Sequence, residues 1–304
     1  MGLKAVRATR AVLLAAAVAL IFPFHAWGHG FAGKRFFPAT LTFDDPFVLD
    51  EFGLSANHFR APGEAGGTLT TNSLSADFAK RITNPLMFAV GTTLVHQSSS
   101  ATGSHTGFDN MEVGVKYLTF VSPSYETLLA TGFYADVGHT GSAAIGAEPF
   151  STVSPSIFFG QGFGSLSNDT VPYLRPLAIS GIVQPNIPLE KNVEDTLLWG
   201  FSVQYNVEYL EDFVKYVGLN APFKHLVPIV ELPMTSCLNH GCGGRTTGTV
   251  NPGFIWWGSK GQVALEASLP INKESGTGVG VVVQMDLYLD DLFPNTLGTP
   301  IFKR

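Results

Sequence analysis

Near the C-terminus, apolar and polar side chains alternate over a long run, from residue 279 to residue 293. The odd positions are apolar except for Asp291, whereas the even positions include Gln284 and Asp286. A β-strand points successive side chains to opposite faces, so the pattern predicts a strand with one apolar and one polar face. The run is longer than the usual 5–6 or so residues and suits the roughly 9–11 residues that cross a bilayer. It therefore predicts a transmembrane strand.

The alternation recurs along the chain, around residues 74–78, 86–94, 111–117, 129–137, 199–209 and 263–271. Short turns are predicted near 81–85, 122–125 and 259–261, and longer polar loops near 97–110, 139–150, 186–195 and 234–248. Short turns at one end and long loops at the other are typical of outer-membrane barrels. The connections near 164–172 and 210–221 do not follow this order.

We count about 11 strands from Thr68 onward, and because bacterial single-chain barrels have an even number, a twelfth is expected from the N-terminal region. The predicted fold class is all-β, an antiparallel transmembrane β-barrel of about 12 strands. Aromatic residues at strand ends, among them Tyr209, Trp256 and Trp257, are typical of interfacial girdles. A soluble β-sandwich also alternates, but it has no reason to order its connections by length.

The first residues resemble a secretory signal peptide. Lys4, Arg7 and Arg10 precede an apolar stretch over 11–22, and a small–x–small cleavage site follows at 26–28. This combination predicts cleavage after Gly28 and, with the barrel pattern, a location in the bacterial outer membrane.

Four segments are expected: a signal peptide over 1–28, an N-terminal part over 29–67, a barrel over 68–293 and a C-terminal tail over 294–304. Residues 29–67 alternate poorly and contain three prolines and the acidic pair Asp44-Asp45. They are expected to form a lead-in, a plug in the lumen or the first strand, and the sequence leaves these alternatives open.

The composition is apolar for a protein without long hydrophobic runs, at 45% hydrophobic and 14% charged residues. The net charge of −6 becomes more negative once the three basic residues of the signal peptide are removed. No basic face is evident, which argues against a nucleic-acid partner. The expected partners are the lipid bilayer and a small-molecule solute; no cofactor is predicted, and the oligomeric state is left open.

Polar residues on the inward faces of the predicted strands are candidates to line the lumen. They are Glu112, Lys116, Asp136, Gln204, Asn206, Glu208, Glu231, Glu266, Gln284 and Asp286. A lumen lined mainly by acids would favour cations over anions. The alternative is that these groups pair with one another and fill a closed barrel.

Cys237 and Cys242 lie in the segment CLNHGC, and in an oxidising compartment they are expected to form a disulfide. A metal site that includes His240 is the alternative, although no fourth ligand is evident. After cleavage, His29 would offer its amine and its imidazole to copper; the simpler interpretation is that it only follows the cleavage site.

Enzymatic activity is not predicted. His96, His105, His139 and His240 fall in or beside predicted loops that are rich in serine, but no G-x-S-x-G element accompanies them.

The segment from Asn251 to Pro294, together with ADFAKRIT over 76–83, resembles a family of outer-membrane transporters. These are the barrels grouped with the "MetA-pathway of phenol degradation" transporters. The predicted function is passive diffusion of small solutes through the barrel, which the resemblance extends to apolar or aromatic compounds, with a closed structural barrel as the alternative. The chain departs from many barrels in continuing past its last predicted strand, so either Phe293 acts as an internal assembly signal or the tail folds back.

Overall fold

The structure, a computed structural model, describes residues 30–63, 67–101 and 103–302. The predicted signal peptide and the candidate copper ligand His29 lie outside these ranges. Within them, no helix is long and apolar enough to cross a membrane.

The described residues form fifteen strands and two short α-helices. The strands are β1 Phe31–Ala32, β2 Arg35–Phe36, β3 Glu51–Pro62, β4 Thr68–Thr83, β5 Leu86–Ser99, β6 Gly103–Phe108, β7 Met111–Ser122, β8 Thr127–Val137, β9 Thr152–Gly162, β10 Leu177–Pro188, β11 Thr196–Tyr205, β12 Leu226–Cys237, β13 Thr246–Gly258, β14 Gly261–Pro270 and β15 Gly280–Tyr288. The helices are α1 Val207–Phe213 and α2 Leu289–Leu292.

Strands β3 to β15 form one closed antiparallel barrel. β6 and β7 both pair with β5, at successive positions along it, so they act as one interrupted strand and the barrel has 12 strands. The barrel closes where β15 pairs with β3, from Val281 opposite His58 to Tyr288 opposite Glu51. Closure leaves no unpaired sheet edge, as a bilayer requires. The predicted fold class is confirmed.

The outer surface of the barrel is apolar. On β15, Val281, Val283 and Met285 point outward and are exposed, whereas Val282 and Asp286 point inward and are buried. The outward positions of β7, β13 and β14 follow the same rule, with Val113, Val115, Phe254, Val263 and Leu265. A continuous apolar exterior around a closed barrel is stable in hydrocarbon and unstable in water.

Every second connection lies at the end of the barrel where the chain enters β3 and leaves β15, here named the turn end. It carries the short turns at 84–85, 123–126 and 259–260. The predicted order of lengths is interrupted here, because the long connections 163–176 and 206–225 lie at this same end. The opposite end is named the loop end.

Two predicted strands are shorter than the alternation suggested. The run over 279–293 ends as a strand at Tyr288, and α2 follows, with its Leu289 amide donating to the carbonyl of Asp50 (2.9 Å). The run over 199–209 ends at Tyr205, because the Asn206 side chain accepts a hydrogen bond from the Tyr209 amide (2.9 Å) and caps α1. Asparagine is among the residues that start helices most effectively.

The C-terminal tail folds back against the β4–β5 turn. The Ile301 and Phe302 amides donate to the carbonyls of Arg81 (3.1 Å) and Ile82 (2.8 Å). The Arg81 guanidinium in turn donates to the Gly298 carbonyl (2.9 Å), so the tail is attached at several points.

Candidate functional site

Residues 30–50, here the N-terminal segment, lie at the turn end and inside the barrel. The β1–β2 hairpin packs against the end of β13, where the rings of Phe36 and Trp257 stack with centroids 4.2 Å apart. Residues 38–46, here the plug loop, then extend into the lumen and return. The Phe37 and Phe47 rings lie 5.9 Å apart, so the side chains that flank the plug loop pack against each other.

A buried arginine fixes the start of the segment. The Arg35 side chain donates to the Glu126 carboxylate (2.9 Å) and to the carbonyls of Pro176 (2.6 Å) and Arg175, and it lies over the Tyr209 ring, 4.0 Å from the centroid. Burial lowers the pKa of the guanidinium from its usual value, and the Glu126 carboxylate opposes this shift. Arg35 thus ties three turn-end connections to the N-terminal segment.

On one side, the plug loop hydrogen-bonds to the wall formed by β12, β14 and β15. The Glu231 carboxylate accepts from the amides of Leu41 and Thr42 (each 2.9 Å). Gln262 accepts from the amide of Ala39 (3.1 Å) and donates to its carbonyl (2.8 Å). Because the loop has no regular structure of its own, these wall side chains satisfy its buried backbone groups.

On the opposite side, the loop binds Lys116 of β7, whose side chain is fully buried. Its ammonium group lies 2.7 Å from the Asp44 carboxylate and donates to the Asp45 carbonyl (2.8 Å). The Tyr134 hydroxyl also donates to Asp44 (2.8 Å). Phe43, at the tip of the loop, packs among apolar side chains that include Phe158.

Below the plug loop, apolar side chains fill the turn-end half of the lumen. One cluster is formed by Ala32, Phe37, Phe47, Leu49, Leu128 and Ala178, and another by Val48, Ala79 and Met87. The chain leaves this core at Asp50, whose buried carboxylate accepts from Lys80 (2.7 Å) and Arg81 (2.8 Å). The lumen is therefore closed on this side.

A cavity of about 680 Å³, here the vestibule, lies beside and above the plug loop; it reaches residues 109–110 and Glu148 at the loop end, and Ala79 and Met87 of the apolar cluster line its lower part. Its lining contains nine acidic residues: Asp44, Asp45, Glu51, Asp77, Asp109, Glu112, Asp136, Glu148 and Asp286. None of the described residues that line it is Lys, Arg or His. Five aromatic rings also line it, from Phe43, Phe78, Tyr134, Phe150 and Phe158.

The predicted lumen residues fall into separate groups. Glu112, Asp136, Gln284 and Asp286 line the vestibule. Lys116 and Glu231 point inward and hold the plug loop. Gln204 and Glu266 point inward but are buried in the wall.

Two of the predicted lumen positions are wrong, because the strand that carried them ends early. Asn206 is buried and caps α1, and its side chain donates to the Phe36 carbonyl (3.3 Å). Glu208 lies on α1 and contacts Lys224 (3.3 Å) and His225 (3.1 Å) outside the lumen.

Several interior residues were not predicted. Asp44 and Asp45 lie in the irregular N-terminal segment, where no periodicity assigns a direction. Asp77 and Tyr134 lie on the polar faces of alternating runs, so their inward position could have been found from the pattern.

Cys237 and Cys242 are joined by a disulfide at the loop end, with their Cα atoms 6.0 Å apart. The acid beside them is Glu194, whose carboxylate lies 3.5 Å from the Cys237 sulfur.

No protein-family model matches the chain, and no curated protein matches its sequence. Solved structures do match its fold. An outer-membrane channel from Pseudomonas putida F1, described as the COG4313 channel, is 13% identical, with a TM-score of 0.52 over 79% of this chain and 96% of that chain. The chain therefore has the β-barrel fold of this channel.

Two porins have similar coverage and lower scores. The KdgM porin is 11% identical, with a TM-score of 0.45 over 77% of this chain and 98% of that chain. The NanC porin is 7% identical, with a TM-score of 0.47 over 78% of this chain and 98% of that chain. At these identities the likeness concerns the fold. The likeness to the COG4313 channel confirms the predicted barrel fold.

Proposed function

We propose that the protein is an outer-membrane channel for small solutes that works by passive diffusion and carries out no catalysis. The vestibule is the observation that supports this role, because it connects the loop end to the middle of the barrel. The plug loop separates it from the turn end, so passage requires the loop to move. The resemblance of the C-terminal third to the phenol-degradation transporters agrees with this role, and we propose membership of that family.

The lining of the vestibule supports a preference among solutes. The lining has nine acids and no basic residue, and Lys116 compensates only Asp44 and Asp45, so the excess of acids creates a negative potential that concentrates cations and repels anions. The aromatic rings between these acids offer apolar surface to flat or hydrophobic parts of a solute. We therefore expect cations and neutral aromatic compounds to enter more readily than anions.

A closed barrel without transport is the second candidate. It is favoured by the same plug loop, which is hydrogen-bonded on both sides and sits above a filled half-lumen. The two candidates differ in whether the plug loop leaves its place under native conditions.

Planar-bilayer recordings under a KCl gradient test the proposal. A channel with this vestibule is expected to show openings whose reversal potential is displaced from zero toward the equilibrium potential of K⁺. Glu112→Gln combined with Asp136→Asn removes two vestibule acids and is expected to move the reversal potential toward zero.

Glu208→Gln is the matched control, since this acid lies outside the lumen, and it should leave the reversal potential unchanged. Anion-selective openings would contradict the proposed preference. The absence of channel openings in every recording would favour the closed barrel without transport.

A further inference from the structure

A buried polar cluster lies in the wall opposite Lys116, on β12, β13 and β14. Its central members are Glu231, Asn251 and Glu266, whose side chains are at most 1% exposed. None of the three is basic, and the Lys116 ammonium is already engaged by Asp44 and Asp45 across the lumen. The cluster therefore contains two carboxylates without a cationic side chain among its members.

The strand register brings the three side chains together. Glu231 is directly opposite Asn251, and Glu266 is directly opposite Gly253. Inward side chains on directly opposite residues lie about 4.5–5.5 Å apart at Cβ. Because Gly253 has no side chain, Glu266 lies over it, next to the inward side chain of Asn251 two residues earlier on β13.

Four polar atoms of Asn251 and Glu266 are buried without a close hydrogen-bond partner in the described part of the chain. Among the described residues, neither carboxylate oxygen of Glu266 and neither polar atom of the Asn251 amide has a hydrogen-bond partner. An unsatisfied buried polar group costs about 1–3 kcal/mol, and more when it is charged. Three of these four atoms are oxygens that can ligate a cation, namely the two carboxylate oxygens of Glu266 and Oδ1 of Asn251.

We propose that Glu231, Asn251 and Glu266 bind a divalent cation of the Ca²⁺ type. Ca²⁺ takes about 6–8 oxygen ligands and accepts carboxylates and amide carbonyls in flexible geometry. The two Glu266 oxygens, Asn251 Oδ1 and a remaining lone pair on Glu231 supply part of this set, and water supplies the rest. One divalent ion matches the charge of the two carboxylates.

The site goes beyond the proposed channel function and would also act on the plug loop. Glu231 accepts from the Leu41 and Thr42 amides, so an ion that holds its carboxylate in place also holds the loop acceptor in place. A proton shared between Glu231 and Glu266 is the competing explanation for two buried acids.

Isothermal titration of Ca²⁺ into the mature protein, folded in detergent and freed of metal with a chelator, tests the site. One saturable site is expected. Glu266→Gln should weaken binding at least tenfold, whereas Glu112→Gln, which removes an acid from the vestibule, should change affinity less than twofold.

Asn251→Asp separates the two explanations even if Glu266→Gln does not fold. A third carboxylate should tighten Ca²⁺ binding in a cation site, and unchanged or weaker binding overturns the proposal. Absence of saturable binding to the native protein also overturns it. So does equal weakening by Glu112→Gln and Glu266→Gln, which would mean diffuse attraction by the vestibule.

Discussion

Lys116 is the strongest single attachment of the plug loop to β7, and replacing it with methionine should release the loop. Lys116→Met keeps most of the side-chain volume and removes the charge. It leaves the barrel strand intact, because the Lys116 backbone pairs with Met87 and Gly132 through main-chain atoms. The loop then loses its charged contact with Asp44 and the donor to the Asp45 carbonyl.

The size of the effect follows from these contacts. A hydrogen bond to a charged group contributes about 1.5–3 kcal/mol, and the partial exposure of Asp44 reduces its share through solvent screening. We expect the plug loop in its closed position to lose roughly 2–4 kcal/mol of stability relative to its released position. Since about 1.4 kcal/mol is a factor of ten, the equilibrium shifts toward the released loop by roughly 30-fold to 700-fold.

Single-channel recording measures this shift as the open probability at fixed voltage. Lys224→Met is the matched control, because this variant loses an ion pair with Glu208 that lies outside the lumen. An open probability that stays at the native value in Lys116→Met, or that rises equally in Lys224→Met, would show that Lys116 does not hold the plug loop in place.

Three further variants test other parts of the structure. Arg35→Met leaves Glu126 buried without its cationic partner, and the loss of one member of a buried ion pair should destabilise the N-terminal segment by roughly 3–5 kcal/mol. The expected readout is a lower unfolding temperature, and an unchanged temperature would refute this role of Arg35. Val283→Arg places a charge on the lipid face of β15 and should lower the stability in vesicles by roughly 2–4 kcal/mol in a urea titration, an effect that the same change at an exposed loop position should not produce. Serine at both Cys237 and Cys242 should cost about 2 kcal/mol from the short closed loop, and reduction of the native protein should give the same loss; a difference between the two would argue against a purely conformational effect.

The barrel could be predicted from the sequence because alternation is a local property of each strand. The faces of β15, β14 and β7 were assigned from the pattern alone, and Glu112, Asp136, Gln284 and Asp286 of these and neighbouring strands line the vestibule. Strand ends were harder to predict. The alternation continues past Asn206 and Tyr288 into residues that form helices, because a segment of only a few residues is compatible with both the strand period and the helix period.

The plug loop could not be predicted in the same way. Its backbone is irregular, so no period tells which side chains point where. Its contacts also join distant parts of the chain, as between Thr42 and Glu231 or between Asp44 and Lys116. Such pairs leave no local signal, and the choice between a plug and a lead-in over 29–67 depends on them.

Closure of the lumen depends most directly on residues 38–46. The Phe37 and Phe47 rings pack against each other at the two ends of the plug loop, so residues 38–46 can be replaced by a short flexible glycine linker. In planar bilayers the native protein is expected to show rare, brief openings, and the shortened protein a steady, cation-selective conductance. The same conductance in both proteins would contradict the account.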